Sequence, residues 1–151
     1  MKKVSMIIWS LVIISLICTN LFGDNDDQSA VEKVIISSYF NGAFNDLDTE
    51  SMKKGFHPDF AIFSAKGKQL AKYPIVTWIE AIEKKKSDPG FDPKKAVMDC
   101  KIVNLDVTGG CASAKVEIHK SGKHIYTDYL SLLKFDDGWK IVAKVYQSYK
   151  Q

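Results

Sequence analysis

The last third of the chain alternates apolar and polar residues, and this pattern constrains the fold more than any other feature. From Ala96 onward, four segments follow a period of two, which is the side-chain period of a β-strand. Hairpin-type turns separate them at Gly109-Gly110, Ser121-Gly122 and Asp136–Gly138. The segments are VMDCKIVNLDV, CASAKVEIHK, HIYTDYLSLLKF and WKIVAKVYQSY. They predict a meander of four long antiparallel strands.

Upstream of the meander, the sequence predicts three helices and two short strands. The first helix runs from about Ala30 to Asn45, because its apolar residues recur at spacings of three and four. Asp48 is the predicted N-cap of a second helix, and Pro74 suits the first turn of a third. Helices followed by a meander indicate an α+β fold with the helices on one face of a bent sheet.

The N-terminal residues have the layout of a secretory signal peptide. A short basic start precedes an apolar run that ends at Cys18, and Gly23 is the best residue for cleavage. We therefore divide the chain into a signal peptide at 1–23, a flexible tether at 24–29 and a single domain at 30–151. The mature protein is expected to be exported, to the periplasm or out of the cell. An uncleaved anchor and a lipoprotein attached through Cys18 are alternatives.

The charge balance argues against a nucleic-acid partner. Removing the signal peptide takes away two lysines and no acid, so the formal net charge of +3 falls by two to +1. The chain also has no arginine, the residue that pairs with phosphate through two parallel hydrogen bonds. Nucleic-acid binding needs a concentrated basic face, which this domain lacks. We also expect no membrane contact beyond the signal peptide.

The register of the first predicted hairpin tests whether the two cysteines of the domain can pair. A two-residue turn at Gly109-Gly110 places Thr108 opposite Cys111 and Cys100 opposite His119. The two sulfurs are then roughly 26 Å apart along the strands. A disulfide needs α-carbons within about 7 Å of each other. We therefore predict two free thiols.

The register of the last hairpin places two charged residues together. The turn at Asp136–Gly138 is predicted to be a three-residue loop, which puts Phe135 opposite Trp139. The same register makes Asp128 and Lys144 diagonal neighbours on one partly apolar face. A carboxylate that lacks full pairing in a water-poor pocket can act as a general acid or base. Alternatively, the two residues form a structural ion pair on the sheet surface or near an interface.

The order of elements and several motifs resemble the nuclear transport factor 2-like superfamily, and within it the lumazine-binding and polyketide-cyclase-like families. The matching pieces span about Gln28 to Tyr149 and are Tyr39 with Gly42, FHPDFAIF, NLDVTGGCASAKVEI and TDYLSLLKFDDGWKIVAKVY. The resemblance implies a cone-shaped α+β fold: a curved antiparallel sheet wraps around the long N-terminal helix, with two further helices. A pocket at the open end and a homodimer through the exposed sheet face are also implied.

The resemblance also implies which residues could form a site, because enzymes of this fold commonly use an Asp or a His with a Tyr in the cone. The catalytic candidates are Asp128, Tyr146, Tyr39 and His57, and the ligand-pocket candidates are Trp78, Leu130, Lys144 and Phe60. His57 precedes a proline at a helix exit and can instead bond a terminal carbonyl. Trp78 can instead belong to the core.

Two functions agree with these features. The first is an exported domain that binds a small hydrophobic molecule or associates with another protein, without catalysis. The second is a cofactor-free isomerase, dehydratase or cyclase that acts on a small apolar carbonyl compound by acid–base chemistry. No cofactor is expected. His119 and His124 flank a hairpin turn with no third ligand close by in the predicted strands, so no metal is expected either.

Overall fold

The computed structural model of the protein describes residues 25–149. The predicted signal peptide and the lipoprotein alternative at Cys18 lie outside this range. Within it, no helix is both long and apolar enough to cross a membrane. The helices are α1 (25–45), α2 (Thr49–Gly55), α3 (Ile75–Lys86) and the one-turn α4 (Pro93–Ala96). The strands are β1 (Phe56–Lys66), β2 (Gln69–Pro74), β3 (Asp99–Thr108), β4 (Cys111–Lys120), β5 (Lys123–Phe135) and β6 (Gly138–Ser148).

The six strands form one curved, unclosed sheet in the order β2-β1-β6-β5-β4-β3. Neighbouring strands run antiparallel except β1 and β6, which are parallel. The predicted α+β class and the four-stranded meander are confirmed. The sheet is mixed rather than wholly antiparallel, because β1 and its neighbour β6 run in the same direction.

Helix α1 begins earlier than the sequence predicts and covers most of the expected tether. Residues 25–29 are helical. The carboxylate of Asp27 accepts hydrogen bonds from Lys134 Nζ at 2.6 Å and from Trp139 Nε1 at 3.0 Å. These bonds fasten the first turn of α1 to the last hairpin, so this segment is part of the domain.

The second half of α1, Ile35–Asn45, is wound as a π-helix. The wider winding joins each N–H to the carbonyl five residues back, as the N–H of Asp46 does with Asn41 at 2.8 Å. Residues five apart therefore share a face, whereas an α-helix would turn them away from each other. Tyr39 and Phe44 pack edge to face as a result, with ring centroids 5.3 Å apart.

The first hairpin follows the predicted register near its turn and departs from it further along. Thr108 pairs with Cys111 as predicted. A β-bulge in β3 then shifts the pairing by one residue, so Cys100 lies opposite Ile118 and not opposite His119. The sequence pattern shows no sign of the bulge, because it inserts one residue without a glycine. Both thiols are free, as predicted.

The last hairpin has a shorter turn than predicted, yet its register at Asp128 is confirmed. Phe135 pairs with Gly138 across a two-residue turn, and not with Trp139. One extra residue bulges from β6 further along and moves the pairing back by one. Asp128 consequently lies opposite Tyr146, as the sequence predicts.

The core lies between α1 and the concave face of the sheet. The predicted apolar face of α1 is buried there, and α3 adds its own apolar stripe. Large side chains with under 2 % exposure include Val31, Ile35, Tyr39, Met52, Phe60, Val116, Ile118, Leu130, Leu132 and Ile141. Two charged residues, Asp128 and Lys144, are buried among these apolar groups. Burying charges costs free energy unless they are paired, so their contacts define the candidate site.

Candidate functional site

Asp128, Lys144 and Tyr39 form a connected polar cluster inside the core. Lys144 Nζ donates hydrogen bonds to the Tyr39 hydroxyl oxygen at 2.8 Å and to Asp128 Oδ2 at 3.3 Å. The Tyr39 hydroxyl in turn donates to the same carboxylate oxygen. Asp128 and Tyr39 are 0 % exposed and Lys144 is 5 % exposed. Asp128 and Lys144 are diagonal neighbours, as the register predicts, and they form the ion pair of the structural alternative. That alternative placed the pair on the sheet surface or near an interface, whereas it lies inside the core.

Three elements position the cluster. Lys144 on β6 lies opposite Leu130 on β5, two residues from Asp128, so the two charges are diagonal neighbours. Both side chains point to the concave face because buried leucines at 130 and 132 alternate with exposed neighbours along β5. Tyr39 reaches them from the π-helical part of α1. The cluster therefore depends on both the hairpin register and the position of α1.

Burial shifts the pKa values of Tyr39 and Lys144 in opposite directions. It raises the pKa of the Tyr39 hydroxyl well above its usual value, and the charge of Asp128 adds to this effect. Burial lowers the pKa of Lys144, although the carboxylate of Asp128 opposes the change. Tyr39 thus stays protonated, while Lys144 gives up its proton more readily than a surface lysine. The second carboxylate oxygen, Asp128 Oδ1, has no hydrogen-bond partner among the described residues.

Aromatic rings surround the Lys144 side-chain nitrogen. Its distance to the ring centroid is 5.2 Å for Trp78 and Tyr39, 5.3 Å for Tyr146 and 5.9 Å for Phe44. A cation within about 6 Å of a ring face is attracted by the ring's quadrupole. The rings therefore compensate in part for the water that this group loses on burial.

A cavity of about 530 Å³ opens above Lys144 at one end of the sheet. Its volume lies within the range of about 300–1,000 Å³ that is typical of small-molecule sites. The walls are mainly aromatic and apolar, with a few hydroxyl groups and one further lysine. The lining residues are Phe44, Ile62, Ser64, Ala71, Lys72, Tyr73, Trp78, Tyr126, Lys144 and Tyr146. Lys144 reaches the cavity wall, whereas Asp128 lies behind it.

The pocket candidates from the sequence fall into two layers. Trp78 and Lys144 line the cavity, as does the catalytic candidate Tyr146. Leu130 and Phe60 do not, since each is only 1 % exposed and lies in the core behind the wall. The ring of Phe60 stacks on Trp78 with centroids 6.1 Å apart, so it supports the wall from within.

His57, the remaining catalytic candidate, lies away from the cluster. Its ring stacks on Phe135 with centroids 4.9 Å apart, and its Nδ1 accepts the N–H of Asp59 at 3.1 Å. Phe135 is seven residues from Asp128 along β5, which is roughly 23 Å at the usual strand rise. His57 is the second residue of β1, directly after α2, and the structure does not bring it to Asp128.

Sequence reasoning missed most of the residues that line the cavity, among them Tyr126 and Phe44. Tyr126 lies two residues before Asp128 on β5 and so shares its face, which strand periodicity could have shown. Phe44 reaches the cavity only because α1 is π-wound, since α-helical spacing would separate it from Tyr39. No residue pattern in α1 indicates this winding.

A second groove, of about 840 Å³, lies between α1 and the edge strand β3. Cys100 lines it, and burial raises the pKa of this thiol to about 12, so it stays protonated at neutral pH. Asn45 Oδ1 accepts the backbone N–H of Met98 at 2.7 Å within the same lining. The groove thus has room for a molecule, but among the described residues the buried ion pair lies at the Lys144 cavity and not here.

The two hairpin histidines do have a third potential metal ligand, contrary to the sequence expectation. Ligand atoms of Glu117, His119 and His124 lie within 4.8 Å of one another, because residues 117 and 119 share a face of β4 and His124 faces His119. Two histidines and a carboxylate can hold Zn²⁺. His124 Nε2 lies 2.9 Å from the carbonyl oxygen of Tyr126, a contact of the kind that fixes a ligating imidazole. Strand alternation puts this cluster on the face opposite Lys144.

A small-molecule cavity over a buried polar cluster, inside a curved sheet packed on a long helix, defines a nuclear transport factor 2-like protein. Residues 26–147 match the family named "Putative lumazine-binding". The chain belongs to that family, which confirms the resemblance noted in its motifs.

Individual relatives support the fold and leave the activity of this chain open. An NTF2-like protein of unknown function from Shewanella baltica OS155 has a TM-score of 0.63 at 26% identity, covering 82% of this chain and 94% of its own. A similar protein from Methylobacillus flagellatus KT has a TM-score of 0.61 at 27% identity, covering 83% and 94%. The chain is also 26% identical to aldolase FrzH from Cladobotryum sp over 123 residues, 81% of this chain and 94% of that protein.

Proposed function

We propose that the protein is an exported small-molecule-binding protein, and that the cavity above Lys144 takes a ligand with a carbonyl group or a similar oxygen acceptor. The observation that carries this proposal is that Lys144 is bonded to a buried cluster and also reaches the cavity wall. A lysine ammonium has three N–H donors. Two of them bond to Tyr39 and Asp128, which leaves one for an acceptor in the cavity.

The remaining walls favour a ligand that is mostly apolar and carries a flat ring. Phe44, Trp78 and Tyr146 offer aromatic surfaces around the Lys144 nitrogen. The opposite charges of Asp128 and Lys144 largely cancel, and Lys72 at the wall adds one positive charge. A neutral or singly anionic ligand fits this balance. The family description also supports small-ligand binding.

A second candidate function is cofactor-free acid–base chemistry on a bound carbonyl compound. The hydrogen bonds from Lys144 to Tyr39 and from Tyr39 to Asp128 form a route along which a proton can move. An N–H of Lys144 would stabilise the negative charge that develops on the carbonyl oxygen when a neighbouring carbon loses a proton. Similarity to a protein named as an aldolase supports this candidate.

Ligand binding is tested with aromatic aldehydes and ketones and their hydrocarbon analogues, read by thermal shift and by Trp78 fluorescence. We expect the carbonyl compounds to raise the melting temperature and quench Trp78, and the hydrocarbons to bind more weakly. Read by thermal shift, because the variant lacks the reporting fluorophore, Trp78→Leu should weaken binding, whereas Val76→Ala on the exposed side of the same helix should not. Equal affinities in the two variants would place the ligand elsewhere.

Assaying turnover of any ligand found in this way separates the binding function from the catalytic function. Asp128→Asn should reduce a proton-transfer rate by roughly 10²-fold or more if the carboxylate takes part, with affinity largely retained. A rate that does not respond to Asp128→Asn would remove the catalytic candidate and leave the binding function in place.

Export is the part of the proposal that rests on the N-terminal sequence, with its basic start and apolar run ending at Cys18. Fractionation of expressing cells should find the protein outside the cytoplasm and shortened by about the length of residues 1–23. Deletion of these residues should keep it inside. A mature protein that carries a lipid on Cys18 would support the alternative attachment.

We also propose that two copies associate through the outer face of the sheet. Tyr129, Leu133 and Val145 lie on that face and are 51 %, 40 % and 50 % exposed. Neighbouring apolar side chains on adjacent strands are typical of an association surface. Light scattering should show a dimer that Tyr129→Lys dissociates and that Leu70→Lys, at the exposed sheet edge, does not. A monomeric wild-type protein at micromolar concentration would contradict the dimer.

A further inference from the structure

We propose that Lys144 is a nucleophile that forms a Schiff base with an aldehyde or ketone ligand in the cavity, with Tyr39 moving the protons. The inference rests on the proposed ligand site and goes beyond it, because binding requires only a hydrogen bond from Lys144. The inference assigns a covalent role to this lysine. It also restricts the ligand to aldehydes and ketones whose carbonyl carbon is sterically accessible to the amine.

The position of Lys144 meets the geometric requirement for such a role. It is the one buried lysine among the residues whose exposure the structure describes, and it also lines the cavity. Its nitrogen is therefore screened from bulk water and open toward a ligand. Lys72 is the other lysine of the cavity wall, but its side chain is exposed, as a surface lysine would be.

The environment of the Lys144 nitrogen favours loss of its proton, which gives the neutral amine that a nucleophile requires. Burial lowers the pKa of Lys144, and the nearby carboxylate of Asp128 works against that change. Tyr39 stays protonated, because its pKa is raised by burial and by Asp128. The cavity walls add Lys72 and the hydroxyls of Tyr73, Tyr126 and Tyr146 as titratable groups. A desolvated lysine in an apolar pocket is a recognised form of activated nucleophile.

The chemistry balances with these groups and no other reactant. The lone pair of the Lys144 amine attacks the carbonyl carbon and the C=O π bond breaks. One nitrogen proton passes through Tyr39 to the oxygen, which gives a neutral carbinolamine. The hydroxyl group then takes up the proton that the Lys144 ammonium released when it became the free amine, and it leaves as water while the nitrogen lone pair forms the C=N bond of the protonated Schiff base. Tyr39 lies 2.8 Å from the nitrogen and is bonded to Asp128, so it can give a proton to one atom and recover it from another.

The cluster is also suited to hold the product. A protonated Schiff base keeps a positive charge near the position of the lysine nitrogen. Asp128 Oδ2 lies 3.3 Å from that position, and the faces of Trp78 and Tyr146 lie 5.2 Å and 5.3 Å from it. Carboxylate and ring faces both stabilise a cation. The cation in turn withdraws electrons from the bound compound, which eases proton loss at the adjacent carbon and generates an enamine.

Acetylacetone, a 1,3-diketone, tests the inference directly because it condenses with an unprotonated lysine amine to a stable conjugated product. The protein is incubated with the probe at pH 7, and the adduct is located by peptide mapping as the mass of the probe less one water. We expect the adduct on Lys144, with at least about tenfold higher occupancy than on exposed lysines, since the cavity holds the probe beside the Lys144 nitrogen and burial lowers the pKa of that amine. Benzaldehyde followed by borohydride reduction should mark the same residue.

Two variants identify the nucleophile. Lys144→Arg keeps the charge but removes the nucleophilic amine, so labelling should be lost. Lys140→Arg is the matched control on the same strand, outside the cavity lining, and should keep it. If Lys144→Arg fails to fold by circular dichroism, peptide mapping of the wild-type and Lys140→Arg proteins still locates the adduct. Labelling on Lys72, or spread evenly over exposed lysines, would overturn the inference.

The same samples separate this inference from the proposed ligand site. If benzaldehyde quenches Trp78 but no adduct forms on Lys144, the ligand site stands and the covalent role of Lys144 is wrong. If neither quenching nor an adduct occurs with any carbonyl probe, both are wrong.

Discussion

Lys144 Nζ lies 3.3 Å from Asp128 Oδ2, and both side chains are at least 94 % buried, at 6 % and 0 % exposure. A buried ion pair of this kind contributes little net stability, because desolvating two charges costs about as much free energy as their attraction returns. Here the pair is also bonded to Tyr39 and touches a cavity. Because the ion pair adds little to stability and lies beside a cavity large enough for a ligand, its presence is better explained by a role in ligand binding than by a role in folding.

Breaking the pair on one side should be much more costly than removing both charges. Lys144→Met leaves the Asp128 carboxylate buried without a counter-charge, and we expect a loss of about 3–5 kcal/mol in the free energy of unfolding. The double variant Lys144→Met/Asp128→Asn removes both charges and should recover most of that loss. Urea unfolding at pH 7 of the wild type, both single variants and the double variant measures the coupling.

Lys53→Met serves as the control for this cycle, because its ion pair with Glu50 is exposed to solvent and should contribute little to stability. A double variant as unstable as the sum of the single variants would show that the buried charges are not coupled.

The Tyr39 hydroxyl should make the protein sensitive to alkaline pH. Its pKa is raised in the folded state, so its contribution to stability is complete below the unfolded pKa of about 10 and is lost as pH rises further. Lys144 behaves oppositely: its lowered pKa gives a penalty at neutral pH that is relieved as pH rises toward about 10.5. Between pH 10.5 and 12, the wild type should therefore lose stability relative to Tyr39→Phe by up to about 1.4 kcal/mol per pH unit.

Urea unfolding of both proteins across this pH range measures the difference. Tyr73→Phe is the control, because that tyrosine side chain is 39 % exposed. Parallel curves for the wild type and Tyr39→Phe would mean that the buried hydroxyl ionises in the folded protein.

Strand periodicity and turn chemistry predict most of this fold, and the reason is visible at Asp128. Its register is set by a buried face that cannot slip by one residue without exposing Leu130 and Leu132. The predicted three-residue turn is wrong, yet a bulge in β6 restores the pairing of Asp128 with Tyr146. Burial of one face therefore fixed the position of the charged pair more strongly than the turn did.

One part of the site could not be derived from sequence because it depends on a backbone irregularity. The π winding of α1 brings Phe44 against Tyr39, and nothing in the apolar spacing distinguishes it from an α-helix. Such an irregularity is set by tertiary packing, which single-residue patterns do not encode. The potential metal ligands on the other face are different: the two-residue turn at Ser121-Gly122 pairs His119 with His124, and strand alternation puts Glu117 on the same face, so periodicity could have shown this cluster.

The two thiols of the described domain should differ sharply in reactivity. Burial raises the pKa of Cys100 to about 12, so little of its reactive thiolate exists at pH 8, whereas Cys111 is exposed. Timed alkylation with peptide mapping should modify Cys111 first and Cys100 at least about 10²-fold more slowly. In urea the rates should converge. Fast labelling of Cys100 in the folded protein would show that the groove between α1 and β3 opens readily.

The turn before β6 should be sensitive to a single methyl group because it sets the hairpin that carries Lys144. Gly138 has a φ of +113°, a backbone conformation that side chains rarely adopt, although a Cβ there would meet no atom within 4 Å. Gly138→Ala should therefore cost about 1–3 kcal/mol through backbone strain alone. Gly110→Ala is the matched control, since its φ lies outside the left-handed region and its nearest neighbour, Lys134 Cβ, is 3.9 Å away. Urea unfolding should show a loss for Gly138→Ala and a change within about 0.5 kcal/mol for Gly110→Ala; equal losses would show that the strain argument is wrong.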